Sequence, residues 1–352
     1  MNKRNYIVSA LVALFGLALP TMANAAPGTG AVVFSKSETI SGSAEGGLYA
    51  VREGRLNQLT EDPADVEPAF SPDGTEIAFA REGDLFTVRP DGSGQRRLTS
   101  GSELDSRPLL AANGRYVVFE RRASAGAPGD LYTVAIGGAN VQQLTSGNGD
   151  DHEAAISADG GGIVFVRSTA GPGGEVNEDL FSVRPSGAGL KRLTRTARID
   201  EFAPRYFAGG ILFSRGDDSE TPAAYADVYT MRRTGKTVQP QVKGVGSAYV
   251  EDVSPDGHTL LFRRDQGLWA KRIGPARAEK LTELPDGSET SSVFSSDGKR
   301  VAAIVEDEGE QRLVSIDVAR GGSVELAAGY DLAEGQSEIG PVIDWQPVPH
   351  QR

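Results

Sequence analysis

Acidic and basic side chains recur at a fixed spacing along this 352-residue chain, and they are its first candidates for chemistry. In three repeats a base follows an acid after 16 residues (65 to 81, 105 to 121, 151 to 167), and in a fourth after 14 (201 to 215). The acids in this register are Asp65, Asp105, Asp151, Glu201 and Glu289. The bases are Arg81, Arg121, Arg167 and Arg215. A constant separation across a hairpin predicts a repeated structural ion pair. The alternative is an acidic rim that holds a cation or a basic peptide.

The repeats without this pairing supply the preferred ligand-binding acids. Glu251 and Asp252 lie in the repeat whose in-register residue is Ala248, and Glu289 is opposed by Glu306 instead of an arginine. Acids without a basic partner are expected to bind a ligand more readily than acids held in ion pairs. Together with the in-register acids, the candidate ligand-binding set contains Glu67, His152, Glu153, Asp200, Glu251 and Asp252.

Motifs of known enzyme classes are missing from the sequence. It has three histidines, and only His152, beside Asp151 and Glu153, has acidic neighbours that could join a metal site or a proton transfer. The preferred interpretation of His152 is a polar surface residue. There is no Gly-x-Ser-x-Gly nucleophile motif, phosphate loop or EF-hand loop, so no catalytic residue, metal or cofactor is assigned. A hydrolase or lyase that uses only carboxylates remains the alternative.

A repeat of 39 to 49 residues organises these side chains. Each copy closes on Leu-Thr or a weaker equivalent, at 59–60, 98–99, 144–145, 193–194, 242–243, 281–282 and 326–327. Inside each copy, short alternating strands are separated by Asp-Gly or similar turns, which favour hairpins. Sheet-forming units of this length are typical of propeller blades. The fold class is therefore predicted as all-β, a β-propeller of four-stranded blades.

The turn sequences carry a resemblance to a known repeat. Residues 70–74 (Phe-Ser-Pro-Asp-Gly), 253–257 (Val-Ser-Pro-Asp-Gly) and 294–298 (Phe-Ser-Ser-Asp-Gly) resemble the TolB-type, WD-like propeller repeat. The resemblance implies a propeller but no single function, because scaffolds, periplasmic complexes and peptidase gating domains all use this repeat. Neither the α/β domain that precedes the propeller in TolB nor a peptidase domain is expected here.

Seven blades are expected, with six, the TolB number, as the alternative. The predicted boundaries are 31–60 plus 337–347, 61–99, 100–145, 146–194, 195–243, 244–282 and 283–328. The first blade lacks an innermost strand, and the C-terminal segment 340–347 resembles one, with Trp345 in the place of Phe70. We expect this strand to join the N-terminal blade and close the ring.

The N-terminus and the composition indicate an exported protein. Residues 1–25 read as a signal peptide, with Lys3 and Arg4 before an apolar run and Ala-Asn-Ala at 23–25, leaving a single propeller domain at 26–352. The destination is expected to be the periplasm, cell envelope or medium, with no membrane span after cleavage. The mature chain carries 34 basic and 48 acidic residues and no cysteine. This charge excludes nucleic acid as a partner and favours a protein or small-molecule ligand, with a basic ligand as one option, bound by a monomer without disulfides.

Overall fold

The computed structural model describes residues 30–40, 43–52, 54–111, 113–171, 175–196, 199–216, 226–244, 246–284, 291–307, 310–330 and 343–346. The expected signal peptide lies outside these residues. All regular structure in the described ranges is β-strand. Within those ranges, no helix has the length and apolar character needed to cross a bilayer.

The strands form seven antiparallel sheets of four strands each. Blade 1 contains β28 (Ile343–Trp345), β1 (Val32–Ile40), β2 (Ser43–Arg52) and β3 (Arg55–Gln58). Blade 2 contains β4 (Asp65–Phe70), β5 (Ile77–Arg81), β6 (Asp84–Val88) and β7 (Arg96–Arg97). Blade 3 contains β8 (Leu104–Leu110), β9 (Tyr116–Arg122), β10 (Gly129–Ala135) and β11 (Gln142–Gln143). Blade 4 contains β12 (Asp150–Ile156), β13 (Ile163–Ala170), β14 (Val176–Val183) and β15 (Lys191–Arg192).

The remaining three blades follow the same order from the inner to the outer strand. Blade 5 contains β16 (Asp200–Phe207), β17 (Gly210–Gly216), β18 (Ala226–Met231) and β19 (Gln239–Val242). Blade 6 contains β20 (Ala248–Val253), β21 (Thr259–Arg264), β22 (Gly267–Arg272) and β23 (Ala278–Glu283). Blade 7 contains β24 (Ser292–Phe294), β25 (Arg300–Asp307), β26 (Glu310–Asp317) and β27 (Ser323–Tyr330). The prediction of seven four-stranded blades is confirmed.

The repeated sequence signals each have a structural role. In the turn at 71–74, the hydroxyl of Ser71 donates to Asp73 and accepts the amides of Thr75 and Glu76, while Gly74 takes a φ of 69°. That left-handed conformation favours glycine. In the first four Leu-Thr pairs the threonine hydroxyl accepts a backbone amide of the third strand, as Thr99 Oγ1 accepts the Leu85 amide at 2.9 Å.

The core of the protein is divided among the junctions between blades. Seven apolar clusters each join two adjacent blades. One of them, which contains Phe34, Ile304 and Trp345, joins blade 7 to blade 1. A fully buried phenylalanine stands at the centre of the second strand in six of the blades: Phe34, Phe79, Phe119, Phe165, Phe213 and Phe262. The blades therefore stabilise one another around a closed ring, because burial of their aromatic and aliphatic side chains requires both neighbours.

The ring is closed by β28, as the sequence predicts. Trp345 pairs with Val32 and is 7% exposed in the cluster between blades 7 and 1. Gln346 fastens the end of the strand, since its amide nitrogen donates to the Gly74 carbonyl at 2.8 Å and its backbone amide donates to the Ala31 carbonyl at 2.7 Å. The C-terminal strand thus supplies the inner strand that the N-terminal segment lacks.

Candidate functional site

The inner strands define the surfaces on which a ligand could bind. Each inner strand of blades 2 to 6 begins on the face that carries the loops after second and fourth strands, here called the loop face. It ends at the opposite face, here called the turn face, where the tight Asp-Gly turns lie. Side chains on the inner strands line the central channel between the two faces. The sequence-predicted acids begin at the loop face and continue along this channel.

The in-register acids are held by arginines. Asp65 accepts hydrogen bonds from Arg81 Nε at 2.5 Å and Nη2 at 2.8 Å, and the pairs Asp105–Arg121 and Asp151–Arg167 have the same two-pronged geometry. In blade 5 both nitrogens of Arg215 contact one oxygen of Glu201. These four acids are 0–3% exposed. Both carboxylate oxygens of the three aspartates, and Oε1 of Glu201, are therefore held by structural contacts, whereas the buried Oε2 of Glu201 has no hydrogen-bond partner among the described residues.

Aromatic rings fix the direction of these arginines. The guanidinium carbon of Arg81 lies 4.9 Å from the centre of the Phe86 ring, and that of Arg121 lies 5.0 Å from Tyr132. Arg167 and Arg215 lie over Phe181 and Tyr229 at 4.9 and 5.0 Å. Stacking on a ring holds a guanidinium in one orientation and adds a cation–π attraction. Ring, arginine and acid form one repeated unit at the loop face of blades 2 to 5.

A second set of acids fastens neighbouring blades together along the channel. The inner strands bulge at Glu67, Arg107, Glu153 and Ala203, which all take φ values between 48° and 55°. Glu67 Oε2 accepts the Arg107 amide at 2.5 Å, and Glu153 Oε2 accepts the Ala203 amide at 2.6 Å. The bulges at Arg107, Glu153 and Ala203 each expose a backbone amide that a carboxylate on the preceding blade satisfies.

Two residues of second strands replace the bulge glutamate where it is missing. Blade 3 has Arg107 at this position, and Glu120 accepts the Glu153 amide instead, at 2.9 Å. Blade 5 has Ala203, and the hydroxyl of Ser214 accepts the Val250 amide at 2.9 Å. Burial raises the pKa of Glu120, although Arg107 and His152 oppose the shift. Glu120 was not among the candidates from the sequence. The sequence shows Arg107 at the bulge of blade 3 but does not show which side chain accepts the next amide in its place.

His152 belongs to a polar cluster at the edge of blade 4. Its Nε2 lies 2.9 Å from Ser168 Oγ and 3.4 Å from Glu178 Oε1. Burial would lower the pKa of His152, but the hydrogen bond to Glu178 and the charges of Glu153, Glu178 and Glu120 raise it overall. Ser168 donates its own proton to Glu178 at 2.9 Å. A nucleophilic serine would instead donate to the histidine, so the cluster has the geometry of a charge network.

Blade 6 contains an acid that sequence analysis described wrongly. Glu251 is not unpaired, because its Oε1 lies 3.6 Å from Arg263 Nε and its Oε2 accepts the Ser292 hydroxyl at 3.1 Å. Burial raises the pKa of Glu251 to about 7 despite the nearby charge of Arg263. The 12-residue separation of Glu251 and Arg263 differs from that of the other pairs, since Glu251 lies at the bulge of β20.

Two channel acids contact only backbone amides among the described residues. Asp252 Oδ2 accepts the Phe294 amide at 2.8 Å, and Asp344 Oδ2 accepts the Phe70 amide at 2.7 Å. Burial and the charge of Asp252 raise the pKa of Asp344 to about 7. Burial also raises the pKa of Asp252, while Arg205 opposes the shift. Asp344 was not among the candidates from the sequence. The alignment of Trp345 with Phe70 nevertheless gives Asp344 the inner-strand position that Ala69 has in blade 2.

The remaining candidate residues are Asp200, which contacts the preceding blade, and Glu289, which lies outside the described ranges. Asp200 Oδ1 accepts the Glu178 amide at 2.8 Å, which ties blade 5 to blade 4 at the loop face. Glu289 lies outside the described residues, and ligand binding there stays a prediction. No three His, Cys, Asp or Glu side chains of the described ranges lie close enough together to hold a metal ion.

Comparison with known proteins identifies the fold. No protein-family model and no curated protein sequence matches the chain. Among solved structures, TolB from Acinetobacter baumannii is 15% identical over 90% of this chain and 82% of its own, with a TM-score of 0.55. A putative TolB from Agrobacterium tumefaciens is 13% identical over 91% and 99%, with a TM-score of 0.50. The fold is that of a TolB-type β-propeller.

The backbone of this TolB-type propeller is also similar to that of an enzyme. An oligogalacturonate lyase from Vibrio parahaemolyticus is 12% identical over 81% of this chain and 91% of its own, with a TM-score of 0.62. Identities this low show a shared fold alone. The comparisons therefore assign no function to this TolB-type propeller, and its function depends on its own side chains.

Proposed function

We propose that this TolB-type propeller is a non-catalytic, exported binding protein whose central channel binds a cationic group of a protein or small-molecule partner at Asp252 and Asp344. The single observation that carries the proposal is the environment of these two carboxylates. Both lie on inner strands, both accept only backbone amides among the described residues, and burial together with the charge of Asp252 raises the pKa of Asp344. A cation between them would relieve this repulsion.

The two acids lie deeper than the acidic rim that the sequence predicts at the loop face. Asp252 and Asp344 occupy the inner-strand position of Ala69, four residues beyond Asp65, because their cross-strand partners Leu261 and Val33 correspond to Ala78. The bulge makes this step equal to three cross-strand positions, so at about 3.3 Å per residue the two acids lie roughly 10 Å from the in-register positions toward the turn face. The proposed site is therefore inside the channel instead of at the loop-face rim.

The residues at the same inner-strand position in the other blades determine the polarity around the proposed site. Arg205 occupies the same inner-strand position in blade 5, and its charge acts on both Glu251 and Asp252. Ala69, Leu109 and Ala155 hold this position in blades 2 to 4. One half of the channel at this level, in blades 2 to 4, is therefore apolar. The other half carries Arg205, Asp252 and Asp344, with Val293 of blade 7 at the position between the two acids. A cationic group with an aliphatic stem, such as an arginine or lysine side chain, suits both halves.

The test uses an acetylated and amidated tetra-arginine peptide as the cationic probe and isothermal titration calorimetry at pH 8. The double variant Asp252→Asn/Asp344→Asn should bind the peptide at least about tenfold more weakly than the wild type, because both attracting charges are removed. The matched control is Glu45→Gln/Glu61→Gln, which removes two exposed acids and should bind normally. Equal loss in both variants, or no loss in either, would reject the channel site in favour of a general effect of net charge.

A second candidate is a carboxylate-based hydrolase or lyase acting in the channel. The observation that favours it is the pKa of about 7 at both Glu251 and Asp344, a value suited to a general acid near neutral pH. The test is turnover of a panel of oligosaccharides, including oligogalacturonate, by the wild type and by Glu251→Gln. Turnover that is lost in the variant would replace the binding proposal with an enzyme.

A further inference from the structure

Blade 6 departs from the ion-pair pattern at its loop face. Arg264 is the cross-strand neighbour of Ala248, just as Arg81 is the neighbour of Asp65. On its other side Arg264 pairs with Gly267, the first residue of the third strand. Blades 2 to 5 have an acid at this second position as well: Asp84, Asp130, Asp179 and Asp227. Arg264 has therefore lost both carboxylates that flank the equivalent arginines.

Arg264 nevertheless keeps the orientation of the paired arginines. Its guanidinium carbon lies 5.1 Å from the centre of the Trp269 ring, compared with 4.9–5.0 Å at the rings of blades 2 to 5. Its buried Nε has no hydrogen-bond acceptor among the residues that the structure describes. The side chain is 30% exposed, whereas the four paired arginines are 12–20% exposed. The guanidinium is thus held in the carboxylate-binding direction and is more open to solvent than its counterparts.

A second cation stands beside the same ring. Lys280 Nζ lies 5.7 Å from the centre of Trp269 and pairs with the exposed Glu283. Its Cε fills the space above Gly267, where an added Cβ would come within 2.4 Å. Blade 6 therefore places a lysine where blades 2 to 5 place an aspartate. The charge at this position is reversed, although the chain as a whole is acidic.

We propose that Arg264, Trp269 and Lys280, here called the blade 6 carboxylate site, bind a carboxylate group of a ligand. The carboxylate takes the structural role that Asp65, Asp105, Asp151 and Glu201 play within the chain in blades 2 to 5. An arginine already oriented by stacking loses little freedom on binding and can donate two parallel hydrogen bonds. This site is independent of the channel acids and does not rest on the proposed function.

Asp265 is the side chain that an entering carboxylate must displace. Its Oδ2 lies 3.6 Å from Arg264 Nε, which is beyond hydrogen-bond distance, and its side chain is 58% exposed. An exposed contact of this length is weak because solvent screens it. A carboxylate with two-pronged geometry should therefore replace Asp265 at Arg264.

The test follows arginine Nε–H signals of the full mature protein by nuclear magnetic resonance, at constant ionic strength. The probes are sodium acetate, an acetylated tri-alanine peptide with a free C-terminus, and acetyl-Ala-Asp-Ala-amide. The Arg264 signal should shift saturably with at least one probe, while the signal of the paired Arg121 stays in place. A stronger response to the free C-terminus or to the aspartate peptide identifies the source of the carboxylate, and either response supports the proposal.

Three variants make the result decisive. Arg264→Gln should weaken binding by about tenfold or more, and Ala248→Asp should do the same because it supplies the missing acid from within the chain. Asp265→Asn should tighten binding, since it removes the competing carboxylate. If Ala248→Asp does not fold, the other two variants decide. An Arg264 signal that no probe shifts, or affinity that is unchanged in Arg264→Gln, would overturn the proposal.

Discussion

Asp105 and Arg121 illustrate how single side chains are used at the loop face. Their two-pronged contact has N–O distances of 2.6 and 2.8 Å, and Arg121 also stacks on Tyr132. The acid is buried, so its charge depends on this arginine for compensation. Acids that look like ligands in the sequence are structural wherever an arginine faces them, and the channel acids Asp252 and Asp344 lack such a partner in the described ranges.

The Asp105–Arg121 pair yields a prediction for a double-mutant cycle. Replacing Asp105 by Asn or Arg121 by Gln should each reduce the free energy of unfolding by about 1–4 kcal/mol, because either change leaves a buried polar group without its partner. The double variant should cost less than the sum of the two. Urea denaturation measures all four proteins. Strictly additive losses would show that the two side chains do not interact.

The raised pKa values of Glu251 and Asp344 predict how stability depends on pH. Both groups have a pKa of about 7 in the folded protein, against ordinary values of 4.5 and 3.8, so the fold favours their neutral forms. Their contribution is fully present at acidic pH and is lost as pH rises through about 7. His152, whose pKa is also raised, acts in the same direction. The melting temperature should therefore fall between pH 5 and pH 8.

The variant Glu251→Gln/Asp344→Asn isolates this effect, because both replacements are neutral at every pH. Its melting temperature should change less between pH 5 and pH 8 than that of the wild type. Groups with a lowered pKa, such as Asp159, lose their contribution only at more acidic pH and do not interfere. A variant with the same pH dependence as the wild type would contradict the assignment.

At the level of strands, the closing element β28 has a simple sequence origin. The C-terminal segment resembles an inner strand, and the N-terminal segment begins at a second strand, so pairing the two completes a blade. The seven blades and this closure could be predicted because Leu-Thr pairs, Asp-Gly turns and strand alternation recur at one spacing. The bulges at Glu67, Arg107, Glu153 and Ala203 could not, since three residue types that differ in size and charge adopt the same left-handed conformation.

Removal of the buried side chain of β28 should weaken the closure strongly. Trp345→Ala should lower the free energy of unfolding by about 3 kcal/mol or more, because it leaves a cavity between blades 7 and 1. Val324→Ala, a change at a 51% exposed residue of an outer strand, is the control and should stay within about 0.5 kcal/mol. Chemical denaturation measures both. Similar small losses would show that β28 does not hold the ring together.

The molecule as a whole is acidic, and the blade 6 carboxylate site is a local exception. Its formal net charge is −12, and its channel contains acids whose number and spacing differ from blade to blade. The sequence could predict that acids gather near the inner strands, but not which remain available, because availability depends on contacts between blades. Glu120 and Ser214 replace acceptors that the inner strands of their own blades lack, and Asp344 joins the inner strands only through closure of the ring. Ligand binding is therefore expected to depend on the closed ring as a unit.

Titration of the Asp344 carboxyl group, followed by carbon-detected nuclear magnetic resonance, tests the central claim most directly. In the protein alone, Asp344 should titrate near pH 7, because burial and the charge of Asp252 disfavour its ionised form. The tetra-arginine peptide should lower this pKa, since a bound cation stabilises the carboxylate, and raising the salt concentration should reduce the shift. An Asp344 carboxyl whose titration is unchanged at saturating peptide would contradict cation binding in the channel.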